Sequence, residues 1–160
     1  MIQKVTDSQL AQCARVIRDS FQTVADTFGF TAENAPRFTA FATTEKLLRQ
    51  QLQEENRLLY AFDDNGTIAG YYSLSFADEG DCELHQLCVL PAYRHRGIGG
   101  ELLSHAFSTA RAKGCRRMKI GIVEENRTLR KWYESFGFVH LGTRKPASLP
   151  FTCGFLEKHL

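Results

Sequence analysis

The chain has no apolar run near the roughly 20 residues that a bilayer-spanning helix requires. Its opening stretch, MIQKVTDSQL, has neither the apolar core nor the small-residue cleavage site of a secretory signal. No charge of one sign dominates. Twenty Lys and Arg face 18 Asp and Glu, a formal net charge of +2, which points away from nucleic-acid and membrane partners. The five cysteines, Cys13, Cys82, Cys88, Cys115 and Cys153, are odd in number, widely spaced and form no C-x-x-C pair. That argues against a disulfide framework and against a structural zinc site, so no metal is expected. Small buried thiols in a reducing compartment are the simpler reading, and a cytoplasmic location follows. Internal repeats and low-complexity segments are also missing.

What is present is the composition of a globular protein, 43% apolar and 24% charged, and 160 residues suit a single domain spanning 1–160. IQKVT reads as a short strand. Asp7 or Ser8 can then cap a long helix, because Leu10, Ala14, Ile17, Phe21, Val24 and Phe28 recur at spacings of four and three, and Gly29 stops it. FTAENAPRFTAFATT is irregular to weakly helical, and a second helix is predicted over about residues 43–55. Two β-rich runs flank Asn65-Gly66, a pair suited to a tight hairpin turn. CELHQLCVL follows as a strand, residues 97–113 as a helix with Ile98, Leu102, Leu103, Phe107 and Ala110 inward, and RRMKIGIV as another strand. NRTLRKWYESF gives a further helix, and GFVHLG and FTCGFLEKHL the last two strands. The order is βααβββαβαββ. One right-handed crossover should set strands 82–90 and 115–123 side by side and parallel. The expected fold is α/β (α+β by another convention), a mixed sheet with helices on both faces.

YRHRGIGGELL, residues 93–103, crowds three glycines where a helix should begin. Amides at a helix start lack intrahelical partners and sit at the positive end of the dipole, so a close-approaching phosphate or pyrophosphate would suit them. A tight strand-to-helix turn would use the same glycines. Arg94 and Arg96 add charge and forked donors. A P-loop is excluded, since no Lys-[Ser/Thr] pair follows at the needed spacing. The dinucleotide fingerprint would require glycine where Leu102 stands, and it belongs on the first strand of a doubly wound sheet.

The pattern R-x-x-G-x-G (Arg94, Gly97, Gly99), after LHQLCVLP and before a helix, closely resembles the acyl-CoA pyrophosphate loop of the GNAT superfamily of N-acetyltransferases. ENRTLRKWYESFGF, residues 125–138, resembles the second motif of that family, with Asn126 opening the helix, Tyr133 within it and Gly137-Phe138 closing it. The element order agrees along nearly the whole chain. The resemblance implies a mostly antiparallel sheet of about seven strands whose central parallel pair splays apart to admit acetyl-CoA. Its pantetheine arm would pair with the backbone of Leu87, Cys88 and Val89, and its pyrophosphate would sit on the amides of Arg94, His95, Arg96, Gly97, Ile98, Gly99 and Gly100. Arg130 or Lys131 would reach the 3′-phosphate and adenine end. Tyr133 would protonate the leaving thiolate, and the Val89 N–H would polarise the thioester carbonyl. Asn126 would cap its helix and bond the CoA arm or a water.

Glu83 stands where several family members carry a catalytic glutamate. Strand alternation places Glu83, His85 and Leu87 on one face, so Glu83, His85 or water would take the amine proton. The acceptor region between the first two helices holds Phe21, Phe28, Phe30, Phe38 and Phe41 with Asp19, Asp26 and Glu33, a setting for a cationic amine with an apolar body. A small-molecule amine and a protein amine both remain open as acceptor. The alternative function is a non-catalytic acyl-CoA-binding module, which would have no use for Tyr133 or Glu83. A homodimer through the last strands is compatible with an exposed edge.

Overall fold

Thr6, rather than Asp7 or Ser8, opens the first helical stretch. In the computed structural model, which describes residues 1–160, the Thr6 N–H donates to Gln9 Oε1 (2.9 Å) across the one-turn helix Asp7–Gln9. Helix α1 follows as Leu10–Phe28 and ends at Gly29, which adopts φ 73°. Its first half buries Leu10, Cys13, Ala14 and Ile17. Phe21, Val24 and Phe28 are only half-buried; Phe21 and Val24 border an open cleft, and Phe28 packs against the aromatic cluster beyond the helix. The weakly helical stretch contains one short helix, α2 (Thr39–Ala42), and the predicted second helix is α3 (Glu45–Leu52). Thr44 caps α3 by accepting the Leu47 N–H at 3.1 Å, which starts the helix later than the sequence pattern suggested.

The strands are β1 (Ile2–Lys4), β2 (Arg57–Asp64), β3 (Thr67–Phe76), β4 (Asp81–Val89), β5 (Arg117–Val123), β6 (Val139–Arg144) and β7 (Cys153–His159). Helix α4 (Ile98–Ala112) joins β4 to β5, and α5 (Arg127–Ser135) joins β5 to β6. Asn65 (φ 52°) and Gly66 (φ 94°) make the predicted turn between β2 and β3. All seven strands form one sheet in the order β1-β2-β3-β4-β5-β7-β6. Every pairing is antiparallel except β4 with β5. The last strand thus inserts between β5 and β6, and β6 becomes an edge that leaves Val139 and Leu141 exposed.

Adjacent residues of β3 supply the two faces. Tyr71 packs with Leu59, Ala61 and Ile68 under Leu10, Ile17 and Leu48 of α1 and α3. Tyr72 and Leu74 pack with Leu84, Met118 and Ile120 against Leu102, Leu103 and Ala106 of α4. Burying each such Leu or Ile side chain stabilises by about 1.5–3 kcal/mol, so these two layers hold the sheet. A third cluster of aromatic residues lies beyond α1. Phe30 and Phe38 are buried there and meet Phe151 of the β6–β7 loop at 4.9 and 6.1 Å between ring centroids. No helix is long and apolar enough to cross a membrane, and the five cysteines are unbridged thiols.

Gly70 is the tightest point between the layers: a Cβ there would lie 2.8 Å from Leu102 Cδ1 and 3.1 Å from the Cys88 carbonyl oxygen. Gly70→Val should therefore lower stability by about 1–3 kcal/mol in urea unfolding. An unchanged midpoint would show that α4 is not held against β3 in this way.

Candidate active site

The site begins where a strand pair fails to continue. β4 and β5 pair in parallel only at Asp81 with Arg117, Cys82 with Met118 and Glu83 with Lys119. Beyond Glu83, β4 has no ladder partner on the β5 side. A bulge on the other side accompanies the divergence: Ser73 pairs with His85 and Tyr71 with Cys88, so β4 carries one extra residue, and Gln86 adopts φ 55°. The extra residue corrects the alternation expected from sequence. Leu87 and Val89 turn to the α4 side and Cys88 to the α1 side, so Leu87 does not share a face with Glu83 and His85.

The chain then turns through His95 (φ 63°) and Gly97 (φ 84°), and Gly97 forms the N-cap of α4. Glycine suits that left-handed corner at no steric cost. The next amides, Ile98, Gly99 and Gly100, belong to the first turn and have no intrahelical acceptor, and the dipole makes them electropositive. A Cβ at Gly99 would touch the Trp132 ring at 3.5 Å, and one at Gly100 the Phe136 ring at 3.6 Å. The missing side chains leave space between the start of α4 and α5.

That space is part of a cleft of about 470 Å³. Ser20, Phe21, Thr23 and Val24 of α1 form one wall, Leu87, Cys88 and Val89 of β4 the floor, and Asn126, Thr128, Leu129, Trp132 and Tyr133 the opposite wall. Tyr93, Arg94, His95, Gly97, Ile98, Gly99 and Gly100 complete the lining. Of the residues predicted to hold the pantetheine arm and pyrophosphate, Arg96 alone is outside it, exposed and lying 5.2 Å from the Tyr93 ring. Two of the predicted cations have protein partners. The Arg94 guanidinium donates to Val89 O (3.1 Å), Thr23 Oγ1 (3.1 Å) and Ser20 O (2.9 Å), so most of its fork is engaged by protein. Arg130 is committed to Glu124 (2.9 Å) and Glu134 (3.4 Å), which leaves Lys131 as the cation of that pair without an ion partner. Asn126 Oδ1 accepts the Leu129 N–H at 3.2 Å, the capping role expected of it, and its amide nitrogen stays available to the cleft.

Tyr133 is 6% exposed and packs edge-on against Trp132 and Phe138. Burial pushes its phenol well above the ordinary range, so the hydroxyl keeps its proton at neutral pH. Burial likewise pushes the Cys88 thiol up to about 12, which makes it a neutral neighbour rather than a nucleophile.

Glu83 and His85 do not line this cleft. They sit on β4 before the bulge, on the α1 side of the sheet. His85 Nε2 is 2.7 Å from Ser75 Oγ and 3.9 Å from Glu83 Oε2. Burial, helped by the Arg57 charge, pushes His85 down to about 4, so the ring is neutral. Burial raises Glu83 above its ordinary value, against the opposing pull of Arg57 and Lys119. Arg57 also donates to Ser73 Oγ at 3.1 Å. Ser73, Ser75 and Arg57 were missed in the sequence, where the signal was two serines at alternate positions of an otherwise apolar strand, YYSLSF. Of the acceptor-region phenylalanines, only Phe21 lines the cleft; Phe28, Phe30, Phe38 and Phe41 pack among themselves and with Phe151.

Known proteins share this fold. The sequence profile of the Acetyltransferase (GNAT) family matches residues 22–138. An uncharacterized N-acetyltransferase of Mycobacterium tuberculosis is 30% identical over 95 residues, a match that spans 59% of this chain and 61% of that protein. The PaiA N-acetyltransferase of Thermoplasma acidophilum, solved in complex with coenzyme A, superposes with a TM-score of 0.85 at 20% identity, over 100% of this chain and 98% of the other. The ribosomal-protein-alanine N-acetyltransferase of Brucella melitensis superposes with a TM-score of 0.76 at 20% identity, over 100% and 99%. These structural likenesses establish the fold, and with the profile match across most of its length, this chain belongs to the GNAT acetyltransferase family.

Proposed function

We propose that this chain transfers the acetyl group of acetyl-CoA to a primary amine by direct attack within a ternary complex. The observation that carries this reading is a buried, protonated phenol, Tyr133, in the same cleft as the unpaired amides of Ile98, Gly99 and Gly100. The cleft fits the cosubstrate by its chemistry: electropositive amides for a pyrophosphate at one end, and an unpaired strand edge at Leu87–Val89 for an amide-bearing arm. Lys131 is exposed nearby on α5 for the 3′-phosphate. A non-catalytic binding module would need neither Tyr133 nor the polar set around Glu83.

The reaction needs a neutral amine, a polarised carbonyl and a protonated leaving group. The amine nitrogen attacks the thioester carbon, the Val89 N–H stabilises the developing oxyanion, and the C–S bond breaks as the Tyr133 hydroxyl protonates sulfur. The proton lost by the amine passes to water or, through water, to Glu83 or His85, which lie on the same strand before the bulge. Both small amines and protein N-termini fit an open acceptor side. The Brucella neighbour's name makes an alanine-terminated peptide one arm of the assay.

An acetyl-CoA turnover screen across a panel of small amines and N-terminal peptides tests the activity. With the amine it identifies, Tyr133→Phe should lower turnover at least about tenfold and leave acetyl-CoA affinity nearly intact; unchanged turnover removes Tyr133 from the mechanism. Gly99→Leu should weaken acetyl-CoA binding in calorimetry, because the side chain enters the space beside Trp132. Wild-type affinity would move the pyrophosphate away from this loop. The rate should rise with pH, since both the amine and the base act deprotonated. The carboxylate limb should lie above the ordinary glutamate value of about 4.3. Glu83→Gln should abolish that limb and lower turnover about 10²–10⁴-fold. A superimposable pH profile would leave His85 or water as the carrier.

A further inference from the structure

Arg94 opens the loop that the family resemblance assigns to the pyrophosphate, yet three of its five N–H groups are held by the protein itself. The three partners lie on two other elements. Val89 O is at the end of β4, while Thr23 Oγ1 and Ser20 O are on α1, 71 and 74 residues away in sequence. The Thr23 hydroxyl also donates to Ser20 O at 2.9 Å, so guanidinium, hydroxyl and carbonyl close a ring. A planar fork can hold three acceptors at fixed angles; a lysine ammonium on a flexible stem cannot. Phe21 and Val24 of this same stretch of α1 face the cleft.

We propose that Arg94 is a positioning residue that links occupancy of the loop by acetyl-CoA to the α1 wall against which the acceptor amine is placed. The inference rests on the acetyl-CoA reading given above. An anion seated on the amides of residues 97–100 fixes the loop backbone, which continues directly into Arg94. Through the three hydrogen bonds the Ser20–Thr23 turn must then follow, and with it Phe21 and Val24. Acetyl-CoA can bias α1 only by the difference in free energy it contributes to its loose and ordered states, and the Arg94 bonds are the contacts through which that difference is felt. Donor and acceptor sites become coupled by one side chain that touches neither substrate's reacting atoms.

The test compares wild type, Arg94→Gln and Thr23→Val by calorimetry with acetyl-CoA and by hydrogen exchange of residues 18–28 with and without it. In the wild type, acetyl-CoA should raise protection of this segment at least about fivefold. Arg94→Gln should bind acetyl-CoA within about threefold of wild type, a difference below one kcal/mol, yet lose the gain in protection. Thr23→Val should lose it too, although it leaves the loop sequence untouched and so guards against a misfolded Arg94 variant. A thermal melt near the wild-type value would set simple destabilisation aside. The inference is overturned if Arg94→Gln weakens acetyl-CoA binding tenfold or more while Thr23→Val behaves as wild type, because Arg94 is then a phosphate ligand. It is equally overturned if both variants keep the gain in protection. Failure of the wild type to bind acetyl-CoA at all would instead sink the cosubstrate reading, and this inference with it.

Discussion

A parallel ladder three residues long, Asp81–Glu83 against Arg117–Lys119, joins the two halves of the sheet at one end and lets them diverge at the other. If the pairing ran on, the backbone of Leu87–Val89 would be satisfied by β5 and no cleft would form. The bulge at Gln86 matters as much. By inserting one residue it rotates Cys88 toward α1 and Leu87 and Val89 toward α4, so the floor of the cleft is apolar on both sides while the strand's edge stays polar. A non-glycine residue held at φ 55° carries a backbone cost, and it is tolerated where the splay requires it.

Around this opening the chemistry is divided by the sheet. The protonated phenol of Tyr133 and the electropositive amides lie on one side, with no carboxylate in the lining. The neutral imidazole of His85, the serine it contacts and the raised carboxylate of Glu83 lie on the other. The sheet thus keeps the buried phenol apart from the Glu83 carboxylate and the His85 ring.

Much of this was legible in the residues. The spacing Arg94, Gly97, Gly99 and the run from Asn126 to Phe138 are local patterns, and local geometry at a helix start depends on little else. The hairpin at Asn65-Gly66 was legible for the same reason. What escaped reading depends on partners distant in sequence. The Gln86 bulge exists only in register with Ser73 and Tyr71, so alternation along β4 alone put Leu87 on the wrong face. The protein contacts of Arg94 escaped reading because their acceptors, Ser20 and Thr23, sit on a helix more than seventy residues earlier. Phe30 and Phe38 looked like acceptor walls until Phe151, from the loop before the last strand, closed over them. Capping was nearly legible: Thr6 stands one residue before the predicted position, and Thr44 is the kind of residue a helix start favours.

The insertion of β7 between β5 and β6 has a consequence for how the protein is made. β6 precedes β7 in the chain but reaches the sheet only through it, and β5 has β7 along its full length from Arg117 to Val123. A nascent chain that has emerged as far as α5 therefore carries both recognition motifs but lacks the strand that anchors their second half. The wall bearing Tyr133 depends on Cys153–His159, a strand that follows it in the chain. The support for the second half of the site is thus encoded after both motifs.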